Sequence, residues 1–406
     1  LQPILRRLTE DVEAFEKTED GGRRTRRRRP SDQTNFETMI GAVVANLAYV
    51  GLNPPETGRL AINTRNGDGR TRYDHPAFGT KFRDLIGHLF LMDYLDWSTP
   101  KAIRGEVSSI APGTKWAELT QGLVFTFDDF SRDQGQEVIM LNRKRRSATP
   151  WSTDAPGRER IDYKETTETT ALRASMRALN AFLADADITF EADDAEPVVD
   201  PWDRLQRRYY VLKADQKEER FDQSGRLFGG FWSNMKASRR SRIRIHGEPT
   251  TTLDYGSMFT RLAYAELGAT PPEGDLYAID GLAGYRSGVK LAMNCFLFDE
   301  ANTRKTWPAV LGQGVGDDHE AQAIPDGVAA SFQARLPDGW TVRKTKAAIL
   351  AKHPALVAAW GRGLGYRLMN TESDILVEVL LVLMANGIPA LGLHDGLMVQ
   401  SSFKDE

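Results

Sequence analysis

The chain has 406 residues, 41 % of them apolar and 27 % charged, with a formal net charge of -3. That is an ordinary globular composition with ample material for two or three domains, and its global charge does not advertise a nucleic-acid partner, although a local cationic groove follows the local field. The single cysteine, Cys295, excludes a disulfide framework and a Cys-rich zinc site within one chain and fits a reducing cytoplasm. No apolar run approaches the roughly 18 residues of a membrane span, so no membrane partner is expected, and the N-terminus carries no signal-peptide pattern. The opening Leu1 and the abrupt end SSFKDE leave room for flanking sequence in a longer protein.

Residues 1–18 read as a short amphipathic helix on Leu1, Ile4, Leu5, Leu8, Val12 and Phe15. Six arginines then occupy the seven positions 23–29, and the run reads either as a solvated linker or as a phosphate-contacting arm. Residues 1–33 form this helix and basic linker. Residues 34–150 read as a mostly helical nucleic-acid-binding unit, loosely winged-helix-like. Its signals are a helical pattern over 81–97, a strand-like GLVFTFDDF (122–130) and a second basic cluster, NRKRRS, at 142–147. Residues 151–200 hold linkers around a helix at 171–186, and the C-terminal unit spans 201–406.

Three segments of that last unit carry chemistry. In TTTLDYGSMFTRLAYAELG (250–268), a β-branched run leads to Asp254, and a helix patterned on Met258, Leu262 and Ala265 follows. A carboxylate at a strand end can reach a metal, and the Tyr255 carbonyl can add a hard oxygen ligand; an Asp there is also a common helix N-cap. In YRSGVKLAMNCFLF (285–298), Arg286, Lys290, Asn294 and Phe298 recur every four residues, roughly along one helix face. Such a face is either solvated or a cationic ladder suited to a triphosphate, with a base and sugar resting further along. In IPALGLHDGLMVQ (388–400), Asp-Gly between two apolar runs is a hairpin signal that puts Asp395 at an exposed tip, as a turn former or as a metal-binding carboxylate.

In this order the three segments resemble the palm and fingers of family A (polymerase I-like) DNA polymerases and the single-subunit RNA polymerases. The stretch GRLFGGFWSNM (225–235), the basic RRSRIRI (239–245) and the helix-like 369–389 agree, so the resemblance covers roughly residues 200–400. The resemblance implies an α+β fold with an antiparallel-sheet palm and helical fingers. It implies that Asp254, Tyr255 and Asp395 hold two Mg²⁺ (or Mn²⁺) ions, with His394 completing the His-Asp motif. Arg286 and Lys290 would hold the incoming nucleoside triphosphate, with Asn294, Phe298 and Phe259 around its base and sugar. Arg226, Arg239, Arg240, Arg242 and Arg261 would contact primer–template DNA. The activity implied is template-directed joining of dNTPs to a primer 3′-hydroxyl, in DNA replication. The alternatives are an RNA polymerase or primase using NTPs, and a polymerase-like DNA-binding protein without catalysis.

The chain departs from the family at four positions: Phe259 stands where a Glu is usual, Phe298 and Asp299 where a Tyr and a Gly are usual, and the hairpin reads His-Asp-Gly rather than His-Asp-Glu. At the family's sugar-facing position, Phe259 is larger than a ribonucleotide-tolerant site calls for and offers no acceptor to a 2′-hydroxyl, which favours deoxynucleotides; the alternative is a Phe259 that points into the core between helix and sheet. The Gly-Asp-Asp within VGDDHE (315–320) lacks a buried strand on either side and reads as a loop.

Overall fold

A computed structural model of the chain describes residues 1–62, 71–75, 78, 80–99, 107–130, 133, 135–144, 158–307, 335–393 and 395–405. Packing divides it into two units, Leu1–Glu137 with Ala192–Asp203, and Val138–Glu191 with Arg204–Glu406. It is a mixed α+β protein whose strands, among the described residues, pair antiparallel except for one parallel pair.

In the first unit, helix α1 (Gln2–Phe15) buries Ile4, Leu8 and Val12, one apolar stripe at helical spacing, against α2 (Pro30–Leu52), which buries Phe36, Ile40, Val43 and Leu47. The arginine run between them is partly tied down. Arg28 bridges Glu16 at 2.5 Å with its guanidinium 3.5 Å from the Phe36 ring centre, Arg24 sits 3.8 Å from Glu16, and Arg23 pairs with Glu19. Strands β1 (Leu60–Ala61), β2 (Leu95–Ser98) and β3 (Ser109–Pro112) form a sheet in the order β1-β3-β2, with α3 (Thr80–Leu91) and α4 (Thr114–Thr120) beside it.

Two expectations fail here. The helix expected over 81–97 ends at Leu91, because Asp93 takes φ +63, and Leu95 then starts β2. The strand-like 122–130 is a turn followed by a short 3₁₀ segment, Phe127–Asp129, with Val124 88 % exposed. There the Asp129 carboxylate accepts the Thr126 N–H at 2.8 Å, drawing that donor away from any ladder.

The second unit begins with β4 (Ile139–Lys144), β5 (Arg158–Arg160), α5 (Thr167–Asp185) and β6 (Ile188–Phe190). It continues with β7 (Gln206–Leu212), β8 (Ser224–Gly229), α6 (Ala237–Arg240), β9 (Ile243–Ile245), β10 (Glu248–Asp254) and α7 (Met258–Glu266). It closes with α8 (Arg286–Phe298), α9 (Val342–Lys352), α10 (Gly365–Ala385), β11 (Leu391–Leu393) and β12 (Gly396–Gln400). One sheet runs β5-β4-β7-β8, with β4 parallel to β7, and the other runs β11-β12-β10-β9-β6.

The span 138–191, divided by composition between an N-terminal unit and linkers, packs into this second unit. Asn180 of α5 exchanges two 2.8 Å hydrogen bonds with the Gln206 backbone at the head of β7. The buried Arg204 guanidinium donates to the carbonyls of Leu183, Ala184, Ala186 and Ile188, satisfying acceptors left open where α5 ends.

The largest core of this unit joins Phe259, Ala263 and Tyr264 of α7 to Val289, Met293, Phe296 and Leu297 of α8 and Leu368 of α10. The helix expected after Asp254 forms; its buried residues are Phe259, Thr260, Ala263 and Tyr264, Leu262 packs against the same core, and Ala265 is exposed. Among the described residues no helix is long and apolar enough to cross a membrane.

Candidate functional site

The site starts from two strand ends. In the β10–β12 ladder Asp254 faces Gly396, and Leu393 faces Gly396 across the β11–β12 hairpin, so Asp395 lies in a two-residue turn beside the end of β10. Paired Cα atoms in such a ladder lie about 4.5–5.5 Å apart, so a separation of 141 positions (395 − 254) is closed by one pairing register. Both hairpin arms are buried, whereas Asp254 is exposed.

Gly396 explains why the hairpin reads His-Asp-Gly. A side-chain carbon there would fall 2.5 Å from the Leu253 carbonyl oxygen, so only glycine permits this approach of the strands. The hairpin is anchored from behind, since the Gly392 carbonyl accepts from Trp232 Nε1 at 3.0 Å and from Gln206 Nε2 at 3.1 Å. Tyr255 follows the strand, 37 % exposed, and Ser257 at φ +58 turns the chain into α7. His394 lies outside the described residues, as do Asp317, Asp318, Arg145 and Arg146.

Helix α10 adds a residue that sequence reasoning missed. Glu372 is 1 % exposed, and its Oε2 accepts from Arg226 Nε at 3.0 Å and Nη2 at 2.6 Å. Oε1 is buried without a hydrogen-bond partner among the described residues. Burial pushes the Glu372 carboxyl up to about 7; Arg226 opposes this, and the negative charges of Asp395 and Asp254 add to it. That electrostatic coupling ties α10 to the strand ends. No local signal marked it, because its neighbours Asn370, Thr371, Ser373 and Asp374 are polar too and its partner sits 146 positions away on β8. Arg226 follows a β-bulge, where the β7–β8 register shifts from Tyr209↔Arg226 to Tyr210↔Ser224; such bulges redirect side chains.

The Arg226 guanidinium lies 5.8 Å from the Phe259 ring centre, and Phe259 stacks on Phe298 with centroids 6.0 Å apart and planes at 20°. Phe259 is only 8 % exposed and belongs to the core that α7 and α8 share. On α8 the residues Arg286, Lys290, Asn294 and Phe298 escape the burial that takes Val289, Leu291, Ala292, Met293, Cys295, Phe296 and Leu297. The row read at four-residue spacing is therefore the accessible face of the helix. Asn294 Oδ1 is a buried atom without a hydrogen-bond partner among the described residues. Arg286 is engaged by Asp275 at 2.8 Å and 3.2 Å, and that hydrogen bond holds the Asp275 carboxyl below its ordinary value.

The remaining arginines divide. Arg240 does not present itself for a DNA backbone: it is 5 % exposed, its Nε donates to the Trp232 carbonyl at 3.2 Å, and burial depresses its pKa. Arg226 is spoken for by Glu372. Arg239 is half-buried, 5.5 Å from the Phe190 ring centre; Arg242 is exposed, its Nη1 3.4 Å from the Glu191 carbonyl; Arg261 is exposed, with Nε on the Gly256 carbonyl at 2.9 Å.

No family model, curated protein or solved structure matches this chain.

Proposed function

We propose that residues 201–406 perform template-directed nucleotidyl transfer, joining deoxynucleotides to a primer 3′-hydroxyl. The observation that supports this is the β10–β12 register, which sets the exposed Asp254 beside Asp395 at the end of a buried hairpin. Hard carboxylate oxygens at adjacent strand ends fit Mg²⁺ or Mn²⁺. Bound there, such ions supply Lewis acidity to the attacking hydroxyl and to the leaving pyrophosphate. Asp254 and Asp395, with the Tyr255 carbonyl, hold them. Lys290 and Arg286, the latter released from Asp275, neutralise the triphosphate from the accessible face of α8. Asn294, Phe298 and Phe259 border the base and sugar, and Arg239, Arg242 and Arg261 offer phosphate contacts to primer–template.

The test is extension of a labelled primer–template with Mg²⁺ and either dNTPs or NTPs. Asp254→Asn and Asp395→Asn should each lower incorporation by about 100-fold or more, while circular dichroism stays that of the wild type. Normal Mg²⁺-dependent extension by either variant removes that residue from the site, and a wild type that incorporates neither substrate overturns the reading.

A further inference from the structure

We propose that Gly365, at the start of α10, is a specificity-determining position that acts through Phe298, its lack of a side chain seating the Phe298 ring against Phe259 as the wall that excludes a ribose 2′-hydroxyl. The proposal rests on the nucleotidyl-transfer reading and names the residue behind its choice of sugar.

The Phe298 ring is held from three directions. Phe259 stacks against it at 6.0 Å between centroids, and the edge of Tyr366 meets it at 5.1 Å with planes at 86°. The backbone of Gly365 closes the third side so tightly that a side-chain carbon there would fall 2.4 Å from Phe298 Cδ1 and Cγ and 2.6 Å from Cδ2. Ordinary contact begins at 3.4 Å, so one methyl group at position 365 drives the ring about 1 Å from its seat. Tyr366 is itself braced by the Lys144 ammonium 4.2 Å from its ring centre, and Phe259 has the Arg226 guanidinium 5.8 Å from its own. With neighbours fixed on both sides, displacement of Phe298 opens the stack instead of shifting it as a block.

The stack bears on sugar choice through shape and through lack of polarity. Neither phenyl ring offers an acceptor, so a ribose hydroxyl packed against them loses its water and gains no partner. Discrimination built from a fit of this kind is sensitive to displacements on the scale of a methyl group. Gly365 touches no substrate in this scheme; it is a positioning residue.

The test measures kcat/KM for a dNTP and its matching NTP in wild type, Gly365→Ala and Phe298→Leu. The wild type should favour the dNTP, and both variants should lower the dNTP-to-NTP ratio by at least about tenfold. Primer–template affinity should stay at the wild-type value, which a general loss of structure would not allow. If Gly365→Ala does not fold, Phe298→Leu, which keeps the glycine and removes the stack, carries the measurement alone. A wild-type ratio in a variant that incorporates nucleotide overturns the role of Gly365 and leaves nucleotidyl transfer standing. A wild type that incorporates neither substrate overturns both.

Discussion

Replacing Glu372 by Gln should change the pH dependence of stability in a direction that the structure fixes. The carboxyl is buried at 1 % exposure and pushed from its ordinary 4.5 to about 7, first by burial and then by Asp395 and Asp254, against the opposing Arg226. A folded carboxyl with a raised pKa binds a proton that the unfolded chain has already released. Stability from this group is therefore complete below pH 4.5 and drains away as pH rises to about 7. At roughly 1.4 kcal/mol per pH unit, the drain amounts to about 3 kcal/mol. Glutamine has nearly the same shape, still offers Arg226 an oxygen, and does not ionise. Glu372→Gln should be the less stable protein near pH 4.5, where it gives up only the best hydrogen-bond geometry. It should gain on the wild type by about 3 kcal/mol as pH rises to 7.5. Urea unfolding of the full chain in EDTA at half-unit pH steps reads this directly, since EDTA keeps cations from neutralising the two aspartates. Parallel stability curves for the two proteins across that range would refute the coupling of Glu372 to its surroundings.

Three further outcomes follow from the same geometry. Lys290→Ala should raise KM for the triphosphate by about tenfold or more, with DNA affinity unchanged in a filter-binding assay; a loss of DNA affinity alone would make α8 a backbone clamp. His353 is buried, with Nε2 donating to the Leu276 carbonyl at 2.8 Å and Nδ1 accepting from the Tyr264 hydroxyl at 2.9 Å, and burial lowers its pKa. Because the unfolded chain takes up that proton first, stability should fall as pH drops below about 6.5, a slope that His353→Gln lacks in thermal melts. Gly396→Ala should cost about 1–3 kcal/mol of stability and most of the incorporation, because its methyl group pushes the Asp395 turn away from β10; full activity would show that the strands need not approach so closely.

What the sequence disclosed was mostly local. Asp395-Gly396 between apolar runs gave the hairpin, Thr250–Thr252 gave the strand, and four-residue spacing gave the accessible face of α8, because each pattern is complete within one element. The readings that failed depend on contacts far along the chain. Arg240 belongs to a basic cluster that looks solvated until Trp232 is packed beside it. The burial of Phe259 and Tyr264 on α7 is set by α8 and His353, which sequence spacing within α7 cannot register. Glu372 carries no motif at all, since its character comes from Arg226 on β8, from Asp254 at the end of β10 and from Asp395 in the β11–β12 turn. Ile139–Lys144 pairs in parallel with β7, a long-range choice that a basic tail on an apolar run does not reveal.

The interrupted composition of the second unit has a consequence for how the molecule can be cut. A fragment starting at Asp203 reads as a natural C-terminal piece, yet it would leave behind β4, β5, α5 and β6. β7 would keep only β8 as a neighbour and β9 only β10, so two bare sheet edges would open at once. The Arg204 guanidinium, now closing the carbonyls of Leu183, Ala184, Ala186 and Ile188, would lose all four of these partners. Any fragment meant to keep both sheets of this unit whole must therefore include Val138–Glu191.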